Sequence, residues 1–206
     1  MAAALAQMGL APLLFFAVLL AAWLYNRGQP WGGALFVWAC LGLPWLEARR
    51  AGGQGAMRLR AALALHIDGW GLAAMMAVGY LLVALWLLRR AGYSLAFLPG
   101  YVQIAPLALG RQVLVIVLVA AAEEFFFRGY LQETVGRRRW GTQGWGILTR
   151  KNLFAALLFG LAHLVGQPLV AIPGHVLGGL ALGWLVERSR SSIWPAVLLH
   201  AVSNLG

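Results

Sequence analysis

From Gly69 to Leu88 the chain reads GWGLAAMMAVGYLLVALWLL, twenty consecutive residues without a charged side chain. A helix rises about 1.5 Å per residue, so such a run matches the roughly 30 Å hydrocarbon layer of a bilayer. In lipid every backbone amide must be satisfied within the protein, and a helix does this within its own segment. The stretch therefore predicts a transmembrane helix. Apolar segments of similar character lie at 8–26, 31–46, 64–88, 111–131, 152–166, 168–186 and 192–206. The expected fold is all-α, a polytopic transmembrane helix bundle of about seven spans, six to eight at the limits.

Segment 91–110, AGYSLAFLPGYVQIAPLALG, is also apolar but is broken by Pro99, Gly100 and Pro106, which suits an interfacial or re-entrant piece. The chain then divides into N-terminal helices plus that segment (1–110) and a C-terminal helical core (111–206), together one membrane domain. Composition agrees. Of the residues 62% are hydrophobic and 11% charged, where a soluble domain is about a quarter charged.

The net charge of +10 raises the question of nucleic acid. The basic residues instead form short clusters between apolar runs: Arg49 and Arg50, Arg58 and Arg60, Arg89 and Arg90, Arg137 to Arg139, Arg150 and Lys151. That is the pattern of cytoplasmic loops beside anionic lipid, so the partner is a lipid bilayer and not a nucleic acid. Loops after the even-numbered spans hold most of the basic residues, which places the N-terminus in the cytoplasm; Arg89 and Arg90 run against this assignment. The first apolar run has no basic residue before it and reads as a retained helix rather than a cleaved signal. A single cysteine, Cys40, excludes an internal disulfide. Oligomeric state is not legible in the sequence.

Against this background a few polar residues inside the spans are costly, and each is a functional candidate. They are Glu123, Glu124 and Arg128 in the fourth span, His163 in the fifth, His175 in the sixth, and His200, Ser203 and Asn204 in the seventh. His66 and Asp68, beside Trp70 at a helix end, read as interfacial structure. From the helical rise, Glu123, His163 and His200 lie roughly 12, 16 and 14 Å from the same membrane face. Glu124 and Arg128 share a helix face and can pair, leaving Glu123 about 100° away. Phe159 and His163 share a face, as do His200 and Asn204. The run Phe125 to Phe127 reads as packing. Gly178, Gly179 and Gly183 give the sixth span small faces for close helix approach.

A carboxylate beside a neutral imidazole can hold a water and take its proton as it attacks a carbonyl, and a His–Asn pair can donate hydrogen bonds to the resulting oxyanion. Peptide hydrolysis is the reaction these residues permit. Intramembrane carboxylates and histidines equally serve a transporter or proton relay, or an inactive membrane scaffold could retain them. The chain lacks the repeated halves with matching broken helices that transporters show.

EEFFFR (Glu123 to Arg128), FGLAH (Phe159 to His163) and HAVSN (His200 to Asn204) resemble, in order and spacing, the three motifs of the CAAX-protease and bacteriocin-processing family, the glutamic-type intramembrane endopeptidases. The resemblance covers roughly 111–206. It implies that Glu123 with His163 activates water, that His200 with Asn204 stabilises the oxyanion, and that Glu124, Arg128 and Phe159 support them. It implies no cofactor, with zinc on Glu123, His163 and His200 as the alternative. It further implies a membrane-anchored protein or peptide as substrate. A sorting-type enzyme of the bacterial inner membrane, trimming C-terminal anchors or peptides, is the version favoured by the small size and the lack of a soluble domain. His175 lies outside the three motifs and reads either as a helix-start residue held by a backbone carbonyl or as part of the substrate path.

Overall fold

A computed structural model describes residues 10–29, 31–50, 53–90 and 106–204. Its helices are α1 (Ala11–Asn26), α2 (Gly32–Arg50), α3 (Gly53–Leu63), α4 (Trp70–Arg90), α5 (Pro106–Glu124), α6 (Arg150–His163), α7 (Ile172–Arg188) and α8 (Trp194–Ser203). Between α5 and α6, helix α5 continues without a break as a π-helical segment, Phe125–Gly136, and a last turn, Arg137–Trp140. A hairpin of two-residue strands, β1 (Gly144–Trp145) and β2 (Leu148–Thr149), joins this to α6, with Gly144 opposite Thr149 and Trp145 opposite Leu148. The all-helical expectation holds apart from this hairpin.

Local chemistry sets several boundaries. Helices α1, α7 and α8 carry proline in the first turn, where a missing N–H costs nothing. Thr149 caps α6, its hydroxyl accepting from the Asn152 amide at 3.3 Å. The sequence reading placed Arg58 and Arg60 in a loop. They lie instead on α3, which buries Leu59 and Ala62 and packs on the π segment.

Two stretches among the described residues are long and apolar enough to cross a bilayer, Trp70–Leu87 and Leu169–Arg188. The seven expected spans are not all of this kind. Helix α1 is apolar but has 16 residues and α8 has 10, while the α5–π helix carries Glu123, Glu124 and Arg128 in its middle. Of segment 91–110, residues 91–105 lie outside the described residues, and from Pro106 the chain is already helical.

The π segment is the centre of the bundle. Every one of its residues is buried, and α2, α3, α6 and α7 all pack on it. Gly136 makes the contact with α6 possible: a Cβ there would lie 2.9 Å from Lys151 Cβ and 3.2 Å from Lys151 Cα. Phe125, Phe126 and Phe127 are core residues, as the sequence reading had them.

The two ends of the bundle differ chemically. At one end Glu133 accepts from Arg137 (2.9 Å) and Ser191 (2.8 Å) and pairs with buried Lys151, which also reaches Glu187 at 3.3 Å. Burial pushes the Glu133 carboxyl up, but Lys151, Ser191 and Arg137 outweigh it and hold the group below its ordinary value. Asp68 pairs with Arg190 at 2.8 Å at this end, and the Trp70 indole donates to the His66 carbonyl at 2.8 Å. The Asp68 pair and the backbone bond at His66 tie the start of α4 to the end of α7 and to the turn before it. At the other end α1 and α6 finish, α7 begins and α8 finishes, with Asn26 against Gly166.

Candidate active site

The junction of α5 with the π segment delivers the acidic pair. Glu124 and Arg128 are fully buried and form an ion pair, Nε to Oε2, at 3.3 Å. The contact is electrostatic and lacks hydrogen-bond alignment, since neither atom has a hydrogen-bond partner. Arg128 is further held by a bond from Nη2 to the Gly179 carbonyl at 3.2 Å and by the Phe159 ring, 4.4 Å below its guanidinium carbon. Glu123 lies outside this pair, as its helical phase requires, with its side chain 15% exposed.

His200, on α8, lies between the two glutamates. Its Nδ1 donates to Glu124 Oε1 at 2.8 Å, and its Nε2 is 3.5 Å from Glu123 Oε2. Glu124 is thus more than a counter-ion for Arg128, because it also fixes the His200 ring. His163, at the end of α6, donates from Nδ1 to the Phe159 carbonyl one turn back, at 2.8 Å. That bond sets the tautomer and leaves the Nε2 lone pair free. Phe159 is the hub: its ring centroid lies 4.4 Å from that of His163, 5.6 Å from His200 and 5.1 Å from Phe127.

Two cavities meet at His163. The larger, about 490 Å³, takes in His163, His175, His200 and Asn204, with Gly174 and Gly178 of α7 along one wall. The smaller, about 160 Å³, takes in Glu123, Phe127 and His163 and runs to Asn26 and Gln167 at the helix ends. Asn204, the residue following α8, is exposed and faces the larger space. Glu123, His163, His200 and Asn204 are therefore gathered around one place from three helices. The nearest imidazole to Glu123 is that of His200, while Glu123 and His163 share the smaller cavity.

Zinc fits this arrangement poorly. Both His200 nitrogens face carboxylates, the His163 Nδ1 is engaged with a carbonyl, and no cluster of three or more metal-ligating side chains forms among the described residues. A ligand set of Glu123, His163 and His200 would require His200 to turn away from Glu124.

His175 belongs to the site in a way that the sequence did not settle. Its ring stacks on His163, centroids 3.9 Å apart and planes 19° from parallel, and it lines the larger cavity. Tyr80 of α4 lines the same cavity and donates to the Ser203 carbonyl at 3.2 Å. It had no signal in the sequence, since one tyrosine in an apolar span looks like packing.

A carboxylate and imidazoles enclosed by a helical bundle, next to a space large enough for a peptide, form the layout of a hydrolase built within a membrane protein. The comparison with known families agrees: the family model described as type II CAAX prenyl endopeptidase Rce1-like matches residues 105–206. The C-terminal half of this chain belongs to that family of membrane proteases. No curated protein and no solved structure matches the chain. The matched region contains Glu123, Phe159, His163, His175, His200 and Asn204.

Proposed function

We propose that this chain is an intramembrane endopeptidase of the glutamate type, acting on a membrane-anchored protein or peptide. The observation that carries the reading is the convergence of Glu123, His163 and His200 beside a peptide-sized cavity. A water held between Glu123 and the free Nε2 of His163 attacks the scissile carbonyl carbon, and its proton passes to the Glu123 carboxylate. The carbonyl oxygen becomes an oxyanion, to which the Asn204 amide donates. When the C–N bond breaks, the proton on Glu123 goes to the departing amine, and the carboxylate is restored. Glu124 and Arg128 hold His200 in place, and Phe159 supports the imidazoles.

No metal enters these steps, so the reaction should survive chelators. The substrates and setting we propose are C-terminal anchors or peptides of bacterial proteins, cut in the inner membrane, with the enzyme's N-terminus in the cytoplasm as the basic clusters favour. The test is Glu123→Gln, assayed in membranes by the appearance of the cleaved product. A loss of about 10²–10⁴-fold is expected, the usual value of a general base. Full activity in that variant would sink the mechanism, and inhibition by 1,10-phenanthroline that added zinc reverses would return the metal to it.

A further inference from the structure

Arg–Trp stacks lie at helix ends on both sides of the bundle. On one side Arg27 lies over Trp23 at 5.0 Å and Arg90 over Trp86 at 5.4 Å; on the other Arg49 lies over Trp45 and Arg188 over Trp184, both at 5.3 Å. Tryptophan and snorkelling arginine are the usual residues of a membrane–water interface. The side of Trp45 and Trp184 also holds Arg50, Arg58, Arg60, Arg137 to Arg139, Arg150, Lys151 and Arg190, of which Arg137 and Lys151 pair with Glu133 and Arg190 with Asp68. The side of Trp23 and Trp86 adds Arg89 and Arg111. An excess this large marks the Trp45–Trp184 side as cytoplasmic.

Both cavities lead away from that side. The smaller ends at Asn26 and Gln167, and the larger at Ala171, Gly174 and Asn204, all at the ends of helices on the basic-poor side. No residue of the basic end lines either one. Glu123 lines only the smaller cavity and His200 only the larger, while His163 is a wall of both. Along the larger one, Gly174 and Gly178 fall on one face of α7, and a Cβ at either would meet nothing within 4 Å. That wall is bare backbone beside three imidazoles, with room for an extended peptide.

We infer that the site is served from the extracytoplasmic face by two separate routes: a narrow one that brings water to Glu123, and a wider one along α7 that takes the peptide. This rests on the protease reading and adds to it the class of substrate, a membrane-anchored protein whose scissile bond lies on the extracytoplasmic side. An anchor cleaved from the cytoplasm could not reach the carboxylate.

Thiol accessibility tests this without a known substrate. In a Cys40→Ala background, single cysteines are placed by Gln167→Cys at the narrow mouth, Ala22→Cys within the narrow route, Gly178→Cys in the peptide wall and Trp145→Cys in the basic-end hairpin, where Trp145 is 87% exposed. Bacterial spheroplasts carrying each variant are treated with a membrane-impermeant maleimide. The first three should label in intact spheroplasts, and Trp145→Cys only once the membrane is permeabilised. The reverse pattern overturns the inference. So does labelling at Gln167→Cys with both Ala22→Cys and Gly178→Cys silent, because the routes would then not connect to that face. Labelling needs no proteolysis, so these outcomes are separate from the fate of Glu123→Gln.

Discussion

The two adjacent glutamates separate by what surrounds them. Glu124 is sealed between Arg128 and His200, whereas Glu123 keeps an edge on the smaller cavity. Their substitutions should therefore fail differently. Glu124→Gln leaves Arg128 buried without its counter-charge, a loss of about 3–5 kcal/mol for a broken buried pair, and should lower the melting temperature in detergent. Glu123→Gln should leave that temperature nearly unchanged while lowering cleavage by the factor of about 10²–10⁴ expected for a general base. Helical phase alone made this division legible, since residues four apart meet and neighbours do not. The stacking of His175 on His163 was not legible, because it joins two helices whose rotation no spacing in either one reveals. If that stack holds the His163 ring for its water, His175→Ala should lower kcat with little change in KM, and His175→Phe, which keeps an aromatic face, should recover most of the loss. Failure of both variants to process substrate would instead point to a role for the imidazole nitrogens themselves.

At the scale of elements, the glycines of α7 illustrate how one residue type serves opposite ends. Gly179 and Gly183 are closed: a Cβ at Gly179 would sit 3.1 Å from Ala156 Cα, and one at Gly183 would collide with Asn152 Oδ1 and Gln132 Oε1. Gly178 is open to the cavity. Gly183→Ala should accordingly reduce folded yield, whereas Gly178→Ala should be tolerated and Gly178→Phe should block peptide cleavage in a folded protein. The sequence showed small faces on this helix but not which face met a neighbour. The π segment was equally hidden, because no residue pattern distinguishes its wider turn from an α-helix in an apolar run. It ends in the Glu133 network, whose sensitivity to acid has a definite sign. A carboxyl held low in the fold contributes stability that is complete above its ordinary value of 4.5 and lost as pH falls through the folded value. Melting temperature should therefore drop on acidification below that ordinary value. Glu133→Gln should be less stable than the parent at neutral pH and lose less on acidification.

For the whole molecule the question is whether the first half only accompanies the catalytic half. The family match begins at residue 105, and every candidate catalytic residue follows it. Sequence motifs thus divide the chain near residue 110, and the structure binds the two parts together. Val18, Ala22 and Asn26 of α1 and Phe36 of α2 enclose the cavity of Glu123, and Met76 and Tyr80 of α4 enclose that of His200. Helix α3 packs on the π segment, and the Leu63 and Ala64 carbonyls accept from Trp194 (2.8 Å) and Ser192 (2.7 Å) at the start of α8. Without these walls Glu123 would face lipid or bulk water instead of a defined cavity, and α8 would lose the contacts that set the height of His200. A fragment of residues 91–206 expressed alone should then insert in membranes but cleave nothing. Co-expression with residues 1–90 should restore cleavage, since the break falls between Arg90 and the segment ahead of α5 and leaves both sets of walls intact. Full activity from 91–206 alone would mean that the first four helices are dispensable to the chemistry, and that the walls they supply here are replaceable by lipid.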